Sequence, residues 1–185
     1  FKAFMQPLID DKVIVPWCGK FAEITKNKVT KTRVWSNDNP HYVGLSANNG
    51  IGKYLAKDLK VIRSCKISHI NDRFLTDDSG TQFGPYDWIF LTCPLPQVIS
   101  LIIDEPVQFL AEKKAISACY SLMLGFNQPI ALDFDMALVK KQDISWISLN
   151  SSKPGRETRQ SILVHSTNIW ANEHLDDNQD DVMQH

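Results

Sequence analysis

The chain has no apolar run near the ~18 residues of a membrane-crossing helix, and no charged-then-apolar leader opens it. Nothing in it therefore argues for a membrane or for secretion. Its formal net charge of −1 leaves no field for nucleic acid or anionic lipid. Cysteine is sparse: Cys18, Cys65, Cys93 and Cys119 are widely spaced, with no CxxC. A disulfide framework is not expected at 185 residues. The four read as reduced, mostly buried thiols of a cytoplasmic protein.

Common catalytic signatures are missing as well. The GxG at Gly50-Ile51-Gly52 has Leu55 where a third glycine belongs, and it sits inside a helical pattern rather than between strand and helix. There is no Walker pattern. His41, His69, His165, His174 and His185 lack ligand spacing. Asp133-x-Asp135 and the acidic run from Asp176 to Asp181 lack the glycine and terminal glutamate of a calcium loop. No metal site is expected. No GxSxG elbow exists. Ser166 adjoins His165, but neighbours on a strand point to opposite faces, which argues against a hydrolase triad.

What is present begins with Tyr86 to Gln97, YDWIFLTCPLPQ. Trp88 to Leu91 is apolar without alternation, the pattern of a strand covered on both faces. Pro94 ends it, and Pro96 suits the first turn of a helix running from Gln97 to Ile103. Ligands of open α/β sheets sit beyond the carboxyl ends of such strands. Thr92 to Pro96 is therefore the first place to look for a cofactor, and an ordinary strand–helix connection is the plain alternative.

Along the chain, Phe1 to Leu8 reads as the tail of a helix, and Val13 to Trp17 and Val29 to Trp35 as strands. A helix is expected from about Ala47 to Leu59, with Ile51, Leu55 and Leu59 on one face. Short strands follow at Val61 to Arg63, Lys66 to Ile70, Arg73 to Thr76 and Thr81 to Phe83, a β-meander broken by turn residues. Asp104-Glu105-Pro106 starts another helix. Strands are expected at Cys119 to Phe126, Ile130 to Leu132, Ala137 to Val139, Ile144 to Leu149 and Ile162 to His165, with a last helix from Asn168 to Leu175. The fold class is α/β (α+β): residues 42–103 form an α/β unit with the meander, and residues 1–41 with 104–185 form a mostly antiparallel domain.

Two features carry charge or polarity that this architecture does not explain. Asn150 to Arg159, NSSKPGRETR, puts Lys153, Arg156 and Arg159 around a Pro-Gly turn suited to phosphate or carboxylate, or simply to solvent. His165 closes an apolar strand, and Trp146 and Asn150 stand four apart on another.

Several segments together resemble the bacterial renalase-like branch of the flavin-containing amine oxidase superfamily. They are YVG at Tyr42, CKISHI at Cys65, YDWIFLTCPLPQ at Tyr86, YSLMLGF at Tyr120, ISWISLNSSKPGR at Ile144 and ILVHSTNIWANEHLDD at Ile162. The family usually has Ala-Thr-Pro where Thr92-Cys93-Pro94 stands, and often glycine where Ala47 stands. The resemblance implies a longer protein, with a GxGxxG unit before Phe1 and a further segment after His185; the polar ending and the opening on Phe1 fit an interior piece.

It also implies FAD as cofactor, approached by Ile67, Thr92, Cys93 and Pro94. Residues 42–103 then become a partial FAD-binding domain, and residues 1–41 with 104–185 a substrate domain. The implied reaction oxidises a dihydronicotinamide with dioxygen. Trp146, Asn150 and His165 would orient the ring, and Lys153 and Arg156 would attract phosphate. A flavin-dependent amine oxidase and a cofactor-free binding module of the same fold are the alternatives. Residues 1–185 alone are expected to be inactive, to hold FAD weakly, and to self-associate through an uncovered apolar face.

Overall fold

The computed structural model describes residues 2–38, 40–102, 116–157 and 159–183. The fold is α+β, with mostly antiparallel sheets and short helices. The described residues form two compact units, one drawn from Phe1–Leu59 and Ser117–His185, the other from Lys60–Ile116.

The first unit opens with helix α1 (Lys2–Asp10). Its last turn buries Leu8 and is closed by Val13 N–H donating to the Leu8 carbonyl at 2.8 Å. Strand β1 (Ile14–Pro16) pairs antiparallel with β4 (Tyr42–Gly44). That pairing draws Tyr42 to Leu59, read from sequence as cofactor-domain, into the compactness of the first unit.

The main sheet has six strands in the order β3 (Lys28–Trp35), β2 (Gly19–Thr25), β9 (Met136–Lys140), β10 (Ile144–Leu149), β11 (Ser161–Ser166) and β8 (Ser121–Gly125). Among the described residues only the β2–β9 pairing is parallel. The register aligns Phe21, Met136, Ser148, Leu163 and Met123 in one row, and Glu23, Leu138, Trp146, His165 and Ser121 in the next but one. Residues two apart on a strand share a face, so both rows lie on the same side. On that side Trp17, Phe21 and Met136 form a buried cluster, with Trp35, Leu138 and Trp146 packed against it. The opposite side carries Ala22, Ala137, Val139 and Ile162, all buried.

Helix α2 (Asn49–Leu55) is shorter than the expected span to Leu59. Gly50 and Gly52 weaken a helix interior by roughly 1 kcal/mol each. Helix α4 (Asn168–Glu173) starts where β11 stops, because the Thr167 hydroxyl accepts a hydrogen bond from Trp170 N–H. It ends two residues before the expected Leu175, and a short α5 (Gln179–Val182) follows.

The second unit holds the antiparallel meander β5 (Ile67–Asn71), β6 (Phe74–Asp77) and β7 (Gln82–Phe83), then helix α3 (Leu95–Leu101). Gly84 (φ +131°) and a cis peptide to Pro85 turn the chain after β7; a Cβ on Gly84 would stand 2.6 Å from the Arg73 carbonyl. Arg73 then holds the next segment, accepting from Tyr86 N–H, donating Nε to the Tyr86 carbonyl and pairing with Asp87.

Several expectations need correction. Trp88 to Leu91 forms no strand; Trp88 and Phe90 are 81% and 83% exposed and stack at 6.4 Å. A strand needs a partner ladder, and among the described residues β5, β6 and β7 pair only with one another. Val61 to Arg63 and Ile130 to Leu132 are not strands either. Ile130 is held instead by the Gln160 side chain, which takes both its N–H and its carbonyl. Strand β2 was not expected at all. The thiols are not mostly buried: Cys18 and Cys119 are exposed, and Cys65 and Cys93 half-buried. The helix expected from Asp104 lies outside the described residues.

Candidate functional site

In the first unit the sheet places Trp146 of β10 directly opposite His165 of β11. A bulge at Ser145 precedes this pair, and the Ser145 hydroxyl donates to the Ser166 carbonyl at 2.8 Å. Bulges re-aim neighbouring side chains, and this one sets Trp146 into register with His165. An aromatic row leads away from the pair: Phe21 lies 6.1 Å from Trp146 and stacks on Trp35 at 5.7 Å, and Trp17 meets Trp35 edge-on. Trp35 stacks in turn on His41 at 3.7 Å. Phe21, Trp35 and Trp146 are carried on paired strands, so the row is a packed aromatic wall with an imidazole at each end, His41 and His165.

The basic turn grows directly from the end of β10. Asn150–Ser152 is one turn of 3₁₀ helix. The Ser152 hydroxyl donates to the Leu149 carbonyl at 2.8 Å and accepts from Trp17 Nε1 at 3.2 Å. Lys153 donates Nζ to Asn150 Oδ1 at 3.1 Å and stands 5.2 Å from the centre of the Trp17 ring. Burial pushes the Lys153 ammonium below the usual lysine range, and the nearby Arg156 charge pushes it the same way. Gly155 (φ +71°) completes the turn; a Cβ there would stand 2.9 Å from Ser46 N and Oγ. Arg156 donates Nη2 to Asn48 Oδ1 at 3.2 Å, and its Nη1 is buried without a partner. Asn150, Arg156 and Arg159 line one cavity of about 460 Å³; Lys153 does not line it.

In the second unit Ile67 of β5 and Thr92 and Cys93, just before α3, line one cavity of about 680 Å³. Pro94 caps the start of α3 beside it. The lining is mostly apolar, with Ile70, Leu75, Ile89 and Leu91 around those three. A flat aromatic group suits such a cavity. Were FAD its ligand, this lining would suit one of the cofactor's flat rings and not its pyrophosphate. A pyrophosphate needs converging N–H groups, and the chain contains no GxGxxG. Proline at the opening of α3 removes another N–H.

Trp17, Phe21, Trp35 and His41 were not singled out from sequence. Their signal was weak, because Lys20 to Ile24 does not alternate cleanly and their meeting depends on the β2–β9 pairing. Among the described residues no helix is long and apolar enough to cross a membrane, and no group of three His, Cys, Asp or Glu is placed to hold a metal ion.

No family model matches the chain. Its fold is similar to that of the PF1083 protein from Pyrococcus furiosus, with a TM-score of 0.54 at 10% identity over 74% of this chain. The match spans 41% of that protein's length. At this identity the likeness shows the fold alone.

Proposed function

We propose that residues 1–185 are the central part of an FAD-dependent oxidoreductase of the renalase-like kind, which oxidises dihydronicotinamide isomers of NAD(P)H with dioxygen as electron acceptor. The observation that carries the reading is the in-register pair of Trp146 and His165 at the end of a fixed aromatic wall. A planar ring needs such a surface to be held at one angle, and positioning is the main demand of hydride transfer. Ile67, Thr92 and Cys93 would border the cofactor's rings, as their shared cavity supports. When bound, FAD would supply a hydride acceptor and pass two electrons to dioxygen, giving hydrogen peroxide.

The chain's own residues do the rest. The Trp146 face excludes water from one side of the substrate ring. His165 offers a hydrogen bond to the ring's carboxamide. The arginines beyond Asn150 favour an anionic substrate over a cationic amine. Flavin absorbance of the purified full-length gene product tests the cofactor directly: a yellow protein with bound FAD supports the reading, and a colourless protein that takes up no FAD removes it.

A further inference from the structure

We infer that the cavity at the ends of β10 and β11 is a binding site for a phosphate-type oxyanion, with Arg156, Arg159 and the Asn150 amide as its donors. The donor set follows from the hydrogen bonds already made. Lysine can only donate, so Lys153 takes the Asn150 oxygen and leaves the Asn150 NH₂ for a ligand. Asn48 occupies Arg156 Nη2, which leaves the buried Nη1 without a partner. A buried guanidinium nitrogen with no acceptor costs stability until something supplies one. Gln160 also lines the cavity but is spent on the Ile130 backbone. Glu157 lines it too, and among the described residues it pairs with neither arginine. The Ser46 and Ser161 hydroxyls line it as well and can donate or accept. Two guanidinium groups and one amide thus stand against a single carboxylate, and the ligand that best engages them is an oxyanion. Planar guanidinium groups bind phosphate oxygens in this way.

The site shares a face with the aromatic wall. Ser161 and Gly125, which line the cavity, are in register with each other, and alternation along β11 puts Ser161 on the side of His165. Four residues of strand separate the two rows, about 13 Å. A ring, a ribose and a diphosphate in extended form bridge that distance. Assigning the anion to the substrate's own diphosphate rests on the function proposed above; the anion site itself does not. Lys153 is a positioning residue here, orienting Asn150 rather than meeting the ligand.

The test uses the full-length protein and inorganic pyrophosphate, followed by calorimetry. Saturable binding is expected, weakened by about tenfold or more in Arg156→Gln and in Arg159→Gln. Arg159 is exposed, so that variant folds even if the Arg156 one does not. Lys153→Met should weaken binding and Lys153→Arg should restore it, which a merely structural role would not produce. Competition by NAD⁺ would assign the anion to a dinucleotide, and pyrophosphate binding without competition would assign the same site to free phosphates. Absence of saturable binding, or binding unchanged in Arg159→Gln, overturns the site. Because no turnover is read, a protein that oxidises dihydronicotinamides yet binds no pyrophosphate would sink this inference and leave the proposed function standing.

Discussion

Trp146 and His165 stand opposite each other across β10 and β11, and a bulge at Ser145 sets that register. Both lie on the face that carries the aromatic cluster, Trp146 half-buried against it, so Trp146→Ala also costs packing that the comparison with His165→Ala separates from the effect on rate. On the proposed function, Trp146→Ala and His165→Ala in the full-length protein should each lower kcat for dihydronicotinamide oxidation by about tenfold to a hundredfold. Circular dichroism should show the sheet intact. Wild-type rates in both variants would remove the pair from the site.

Met136 lies at the centre of the six-stranded sheet, fully buried between Phe21 and Ser148 in the same row. Met136→Ala should destabilise the protein by about 2–5 kcal/mol, the cost of lost burial and a residual cavity. Chemical denaturation should show a lower midpoint with an unchanged slope.

The strands that carry the pair were legible because Ile144 to Leu149 and Ile162 to His165 are β-branched, apolar and bounded by turn residues. The basic turn was legible from its Pro-Gly step. That Lys153 stands apart from the cavity lined by Asn150, Arg156 and Arg159 was not, since it depends on the 3₁₀ turn and on the Trp17 ring beside it. Trp88 to Leu91 reads as a buried strand because composition reports apolarity and carries no information about a pairing partner. Strand β2 was missed for the converse reason: Lys20 and Glu23 flank Phe21 and Ala22, and the parallel pairing with β9 comes from far along the chain.

Asp77 makes the meander's second turn sensitive to acid. Its Oδ1 accepts from Ser79 N–H, Ser79 Oγ and Thr81 N–H at 2.9, 2.6 and 2.9 Å. These bonds, the Ser79 hydroxyl first, hold the carboxyl below the usual aspartate range. A carboxylate with a depressed folded value stabilises the fold above its ordinary value, and that stability is lost as pH falls through the folded one. Between about pH 5 and pH 2, the wild type should lose more thermal stability than Asp77→Asn. Parallel losses in the two proteins would contradict this.

The thiols should react in a definite order. Burial raises the Cys65 thiol above the usual range, and the neighbouring Asp77, which its Sγ meets at 3.7 Å, adds to it. The thiolate is the reactive form. Iodoacetamide labelling followed by mass spectrometry should modify the exposed Cys18 before Cys65. Faster labelling of Cys65 would show that its surroundings are not those described.

The function proposed above is the oxidation of a dihydronicotinamide by the flavin-loaded protein. The most direct measurement supplies the flavin-loaded full-length protein with an NADH isomer reduced at the wrong ring carbon, in the presence of dioxygen, and counts products. The account predicts NAD⁺ and hydrogen peroxide in equal amounts. Consumption of an amine instead, or no peroxide from any dihydronicotinamide isomer by a protein that has bound FAD, would contradict it.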